Sequence, residues 1–284
     1  MSIPHILHFT WKTHDVPKEW KPNFIKWKHS HPNWDIRIWS DEDNEALIAK
    51  EVPWFLNVYK SLPAGINRAD CARYVYMFSH GGVYCDLDTL PTKPIDVLVQ
   101  FVEQHKSGIA IGQDSASQSR FEIAFIASRP SHPFWFYVLT RIRPCLVGWE
   151  NILGSLSPGL STMFLTGPYF VGKCHDEYRT FYESQFLILP VQLNPFGPEG
   201  PQNLFVVHLN NASWITNPRD IFAHKTYHKL RSLGFSANCL FGTVLIFFLV
   251  IIAFLLGFFL LGRQLYHSTP KIKRNFCHMA SVFH

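Results

Sequence analysis

Three features of this sequence predict an α/β domain with a mostly parallel sheet, followed by a C-terminal transmembrane helix. Strand and helix patterns alternate through the stretch Ile3–Lys50, as in units whose sheet is covered by helices. A helical stretch over Ile66–His80 then stops at Gly81-Gly82 and passes directly into a short apolar strand. Finally, no charged residue occurs between Arg231 and Arg263, a run long enough to cross the hydrocarbon core of a bilayer.

The elements follow in order. Ile3-Pro-His-Ile-Leu-His-Phe-Thr-Trp11 reads as a buried strand that ends at the polar turn Lys12–Asp15. Asn23–Ser30 is helical in pattern, with Phe24 and Trp27 on one face. His31-Pro32-Asn33 turns the chain into Trp34–Trp39, which alternates with period two and is a strand. Ser40, with Asp43 three residues on, makes a capping-box-like start for the helix Asp41–Lys50. After Ile66–His80, a glycine supplies the left-handed conformation that closes a helix. Val83–Leu90 is the next strand, and Pro91 ends it. Gly108–Gly112 and Phe121–Ala127 read as strands, His132–Arg141 as a helix, Trp149–Pro168 as loop-rich, and Phe186–Pro190 and Leu204–Leu209 as final strands. The expected organisation is a catalytic domain over 1–232, a transmembrane segment over 233–263 and a short basic tail over 264–284.

Composition excludes several classes. The net charge of +5 comes from scattered Lys and Arg, so the basic stripe that a nucleic-acid groove needs is missing. The cysteines at 71, 85, 145, 174, 239 and 277 form no C-x-x-C pair and match no zinc or redox spacing, which leaves buried free thiols as the expectation. Cys239–Leu261 is apolar all round, whereas a helix on the surface of a soluble domain keeps a polar face. The protein is therefore expected to be a single-pass membrane protein. Lys225, Lys229 and Arg231 flank one side of that segment, and Arg263, Lys271, Lys273 and Arg274 the other, a balance that leaves orientation open. No apolar signal precedes the domain, since Met1–Trp11 reads as a strand; tail-first insertion and a segment upstream of this chain both stay open.

Asp86 and Asp88 stand two apart at the end of a predicted strand, where alternate side chains share a face and both carboxylates can converge on one cation. Two hard oxygen ligands suit Mg²⁺ or Mn²⁺, which bind diphosphate oxygens and neutralise their charge. Asp70 and Arg73, three apart on the preceding helix, lie on one face and can be carried near that metal.

At these residues the chain resembles a known family. Ala69-Asp70-Cys71-Ala72-Arg73-Tyr74 and Gly81-Gly82-Val83-Tyr84-Cys85-Asp86-Leu87-Asp88 look like the D-x-D sugar-binding region of glycosyltransferase family 32. So do Ile3–Trp11, Trp34…Trp39-Ser40-Asp41, Thr166-Gly167-Pro168 and His208…Ser213-Trp214. The resemblance is strongest to fungal-type mannosyltransferases acting on inositol phosphorylceramide, with initiating α-1,6-mannosyltransferases a further relative. It implies a GT-A-like, Rossmann-type nucleotide-sugar domain, a GDP-mannose donor, Mn²⁺ or Mg²⁺, retention at the anomeric carbon, a lipid or glycan acceptor and a Golgi membrane, with a regulatory membrane subunit as a further partner. Carried over by position, Asp86, Asp88 and His208 would be metal ligands, Asp86 also meeting diphosphate or ribose. Asp70, Arg73 and Tyr74 would meet the donor sugar and phosphate, Trp11 the base, and Ser213 and Trp214 would close over the diphosphate.

Rival readings are a UDP-sugar-dependent transferase of the same fold, a non-catalytic partner subunit of a membrane glycosyltransferase, and an aspartate-nucleophile phosphatase. The last expects Thr or Val two residues after the second Asp, where this chain has Leu90. Ser107–Arg120 carries no acceptor signature, and Asn211-Ala212-Ser213 is a glycosylation sequon at which a glycan would obstruct the expected site.

Overall fold

The computed structural model describes residues 2–104, 108–113, 121–148, 158–181, 187–189 and 205–209, all within the first of two compact units, Met1–His228. The expected transmembrane segment, the basic tail, Ser213 and Trp214 lie outside the described residues. No helix among the described residues is long and apolar enough to cross a membrane.

The strands are β1 (Ile6–Thr10), β2 (Asp35–Trp39), β3 (Gly82–Cys85), β4 (Thr89–Pro91), β5 (Ile109–Gln113), β6 (Phe121–Ser128), β7 (Leu187–Leu189) and β8 (Val206–His208). Between them run α1 (Lys21–Ser30), α2 (Asp41–Glu51), a 3₁₀ turn at Pro53–Phe55, α3 (Leu56–Lys60), α4 (Gly65–Ser79), α5 (Asp96–Gln104), α6 (Pro133–Val147), α7 (Pro158–Leu165) and α8 (Pro168–Phe181). The main sheet has the order β2-β1-β3-β6-β5-β7, and β4 pairs with β8 in a separate ribbon. Within the main sheet only β6 runs against the others, so the sheet is mostly parallel, as its alternating strands and helices predict.

Period-two alternation sorts side chains between two cores. Val83 and Cys85 of β3 face one cluster with Leu7, Phe9, Phe24 and Trp27, while Tyr84 faces the other with Tyr74, Tyr76, Phe134 and Trp135. Helix α4 is buried on nearly every side, which explains why its sequence shows no amphipathic stripe. Ser40 and Asp43 cap α2 reciprocally, as their spacing predicts.

Some elements differ from the sequence reading. The strand expected over Val83–Leu90 breaks at Cys85, because the Thr89 amide and hydroxyl both return to the Asp86 carbonyl, at 3.1 and 2.6 Å, and close a turn. Asp86 and Asp88 therefore stand in a turn between β3 and β4, not on one face of a strand. The stretch read as loop-rich contains α7, and α5 and α8 are further helices that the sequence reading did not place. The four described cysteines are free and buried, as expected.

Candidate functional site

Gly81 and Gly82 place the site. Both have positive φ, 64° and 94°, and a Cβ on Gly81 would lie 2.5 Å from the Pro130 nitrogen while one on Gly82 would lie 2.6 Å from the Ile6 carbonyl oxygen. Only glycine lets α4 reverse this tightly into β3. His8, fully buried in β1, holds the same turn. Its Nδ1 accepts from the Trp39 indole at 3.1 Å, which leaves Nε2–H to donate to the Gly81 carbonyl at 2.8 Å. Burial pushes the His8 imidazole down to a pKa of about 3, so it stays neutral.

The turn delivers Asp86 to α4. Arg73, 3% exposed, places Nη2 3.0 Å from Asp70 Oδ1 and Nη1 3.3 Å from Asp86 Oδ1, and Nη1 also donates to the Ile123 carbonyl at 2.9 Å. Its guanidinium lies 4.5 Å from the centroid of the Tyr84 ring, a cation–π contact. The Tyr84 hydroxyl donates to Asp86 Oδ1 at 2.5 Å. Burial works against the Arg73 charge, but Asp86, Tyr84 and Asp70 outweigh it and hold the guanidinium firmly protonated. Asp70, 2% exposed, has its carboxyl pushed up to about 6 by burial, against the pull of Arg73 and the Thr166 hydroxyl.

On the opposite side, α1 grips the turn that carries the two acids. Asn23 Nδ2 donates to the Leu87 carbonyl at 3.2 Å, and the Trp27 indole donates to the Thr89 carbonyl and hydroxyl at 3.1 and 3.2 Å. Strand β8 closes the third side: His208 pairs with Thr89 in the ribbon, and the Leu209 amide donates to the Asp88 carbonyl at 2.9 Å. The backbone thus brings residue 208 beside the turn from far along the chain. Trp11, just beyond β1, packs edge-to-face on Trp20 at 5.0 Å. Tyr74, expected at the donor, instead points into the core. Its ring stacks on Trp135 at 5.7 Å and its hydroxyl donates to the Thr166 carbonyl.

The donor set fits a divalent cation. Among the described residues the polar contacts on the Asp86 carboxylate, from Arg73 and Tyr84, both fall on Oδ1, and the side chain is 27% exposed, so Oδ2 could face a cation. The Arg73 guanidinium meets two carboxylates, Asp70 and Asp86, an excess of negative charge that suits a divalent ion. No group of three or more His, Cys, Asp or Glu side chains is gathered among the described residues, so phosphate or water oxygens would complete the coordination.

Residues 17–105 match the family described as glycosyltransferase sugar-binding region containing DXD motif, and this stretch contains the Asp70–Arg73 pair, the glycine turn and both acids. The chain carries a glycosyltransferase sugar-binding region. It is similar to mannosyl phosphorylinositol ceramide synthase CSH1 of Saccharomyces cerevisiae, 26% identical over 91% of this chain and 61% of that protein. It is also similar to inositol phosphoceramide mannosyltransferase 3 of Schizosaccharomyces pombe, 28% identical over 65% of this chain and 48% of that protein. The initiation-specific alpha-1,6-mannosyltransferase of Candida albicans is 30% identical over 50% of this chain and 37% of that protein. The chain thus spans between 37% and 61% of these relatives' own lengths.

Around the sugar-binding region, sequence reasoning assigned no role to the residues that hold it: His8, Asn23, Trp27, Asn67, Tyr84 and Thr166. Tyr84 was findable, since it stands two before Asp86 on an alternating strand. Asn23 and Trp27 act on backbone carbonyls some 60 residues away (|i−j| of 64 and 62), for which no local pattern exists.

Proposed function

We propose that this chain is a metal-dependent retaining hexosyltransferase that moves mannose from GDP-mannose to an inositol phosphorylceramide-type sphingolipid or a glycan, at a Golgi membrane. The carrying observation is the Asp70–Arg73–Asp86 cluster, buried inside the sugar-binding region and joined to the acidic turn. The relatives named as mannosyltransferases support the sugar, and the apolar run Cys239–Leu261 supports a membrane anchor.

In this reading Asp86 and Asp88, with His208, would hold Mn²⁺ or Mg²⁺, which when bound would supply Lewis-acid neutralisation of the diphosphate charge. Asp70 accepts hydrogen bonds from sugar hydroxyls, and Arg73 offsets negative charge on the donor phosphate. Trp11 lies by the base, and Ser213 and Trp214 cover the diphosphate. The bond from the anomeric carbon to the diphosphate breaks to leave an oxocarbenium-like sugar. The acceptor hydroxyl attacks from the face the diphosphate leaves and gives its proton to the departing phosphate oxygen, since no further carboxylate is placed by a motif. Arg73 is preorganised for that charge because Asp70, Asp86 and the Ile123 carbonyl fix the guanidinium before any donor arrives.

The experiment is donor hydrolysis or transfer by the full chain in detergent, with GDP-mannose and UDP-sugars, with Mn²⁺ or chelator, and with Asp88→Ala alongside. Turnover of GDP-mannose that needs Mn²⁺ and drops about 10²–10³-fold in Asp88→Ala is expected. Turnover of a UDP-sugar alone would keep the transferase and discard the mannosyl donor. Metal and nucleotide binding without turnover of any donor would overturn the catalytic reading in favour of a partner subunit.

A further inference from the structure

A side-chain relay reaches Asp70 from the junction between α7 and α8. Thr166 lies between α7 and α8. Its hydroxyl lies 2.8 Å from Asp70 Oδ2, Asn67 Nδ2 lies 2.9 Å from that same hydroxyl oxygen, and Tyr74 donates to the Thr166 carbonyl. Asn67 and Thr166 are both fully buried.

The protons in this relay are fixed by elimination. An ionised carboxylate only accepts, and a threonine hydroxyl has one hydrogen, so that hydrogen points to Asp70. The Asn67 amide must then donate to the lone pair that remains. This orientation leaves Asn67 Oδ1 without a hydrogen-bond partner. A buried amide tolerates an unsatisfied acceptor here because its other end turns the threonine hydroxyl toward the acid.

The junction that carries Thr166 is rigid. The Gly167 amide donates to the Thr162 carbonyl at 2.7 Å, and a Cβ on Gly167 would stand 2.6 Å from that same oxygen. Helix α7 therefore closes against a residue that has to be glycine, and Pro168 starts α8 at once. Asp70 is left with one oxygen on Arg73 and the other on Thr166. With each oxygen held by a different partner, the carboxylate plane is set before a ligand arrives.

We infer that Thr166, oriented by Asn67 and held by Tyr74, is a positioning residue that fixes the Asp70 carboxylate for the hydroxyls of the donor sugar. The inference rests on the transferase reading above. The Thr166 hydroxyl bonds Asp70 and Asn67, so its direct effect falls on the carboxylate assigned to the sugar.

The test compares wild type, Thr166→Val, Thr166→Ser and Asn67→Leu in the full chain. It measures kcat and KM for GDP-mannose with Mn²⁺, and the Kd for GDP with Mn²⁺. Thr166→Val keeps the shape and loses the hydroxyl; kcat should fall about tenfold to a hundredfold, as when a supporting partner of a site residue is removed, with Kd for GDP unchanged within about twofold. Thr166→Ser should restore most of kcat. Asn67→Leu removes an amide that already carries an unpartnered acceptor, so the fold should survive, with kcat down about threefold to tenfold. This variant carries the test if Thr166→Val does not fold. Wild-type kcat in Thr166→Val or in Asn67→Leu would overturn the inference, as would equal impairment of the Val and Ser variants, or loss of GDP binding in step with kcat. Wild-type protein that binds GDP-mannose no more tightly than GDP and turns over no donor sinks the transferase reading itself, and this inference with it.

Discussion

The two halves of the site are built differently. Asp70 and Arg73 sit on a helix buried on nearly every side, and side chains hold them: Arg73 on Asp70 and Asp86, Thr166 on Asp70, Tyr84 under the guanidinium. Asp86 and Asp88 sit in a short turn at the end of the interior strand β3, its backbone held by hydrogen bonds. Asn23 takes the Leu87 carbonyl, Thr89 the Asp86 carbonyl and the Leu209 amide the Asp88 carbonyl. The helical half is buried and fixed by charge. The turn is half-buried at Asp86 and Asp88, fixed through its backbone, and its Asp86 carboxylate is tied to Arg73 and Tyr84. On the proposed reading the first would meet the sugar and the second the cation.

The sharpest way to break the contrast is Arg73→Ala. Removing one partner from a buried ion pair strands the other, and such losses run at about 3–5 kcal/mol. Asp70, buried behind Arg73, would lose its compensating charge, and Asp86 would lose its link to α4. Thermal denaturation should show a large drop in stability, and donor turnover should fall by more than about a hundredfold. Near-wild-type stability would mean that the helical half does not depend on its ion pairs.

The turn half should fail more gently. Asn23→Ala strands the buried Leu87 carbonyl at a cost of about 1–3 kcal/mol, and the turn loosens without losing either carboxylate. Titration of turnover against Mn²⁺ should show about tenfold weaker apparent metal affinity with little change in kcat at saturating metal. A fall in kcat at saturating Mn²⁺ would place Asn23 with the helical half instead.

The same contrast explains what was legible in the sequence. The α/β succession, the helix closing at Gly81-Gly82 and the Asp70–Arg73 spacing are local patterns, and the structure reproduces each of them. The backbone geometry around Asp86 was misread. An apolar run through Leu90 looks like a continuous strand, and nothing local shows that the Thr89 hydroxyl will turn back to Asp86. Thr166 was legible only as part of a resemblance, because its meaning depends on a partner 96 residues earlier. Helix α7 escaped because a short apolar segment does not separate helix from loop, whereas α5 and α8 carry amphipathic patterns that the sequence reading passed over.

Activity against pH separates the halves at smaller amplitude. If turnover needs Asp70 ionised, kcat/KM for GDP-mannose should fall about tenfold per unit on the acid side of a midpoint near 6, where burial has pushed that carboxyl. Thr166→Val removes a donor that stabilises the charged form, so this limb should move to higher pH. An acid limb that stays put in Thr166→Val would assign it to another group.

Stability against pH is the finest discriminator, because Asp70 of the helical half and His8 behind the glycine turn contribute with opposite signs. His8, which anchors the glycine turn, has a pKa lowered by burial to about 3 from an ordinary 6.5. Its contribution is present above pH 6.5 and is lost as pH falls toward 3, at about 1.4 kcal/mol per unit. Asp70 has a pKa raised by burial to about 6 from an ordinary 3.8. Its contribution is fully present below pH 3.8 and is lost as pH rises through 6, so acidification across that window favours the native state by a similar slope. Between pH 6 and 4 the two slopes oppose each other. His31, His80 and His175, whose pKa values burial also lowers, add to the His8 side. Wild type should therefore lose stability only gradually across this window, and Asp70→Asn should lose it more steeply, because the opposing group is gone. Chemical denaturation of both proteins at pH 4.5, 5.5 and 6.5 measures the two slopes. Parallel slopes would show that Asp70 does not take up its proton inside the folded protein, and that Arg73 holds it ionised throughout.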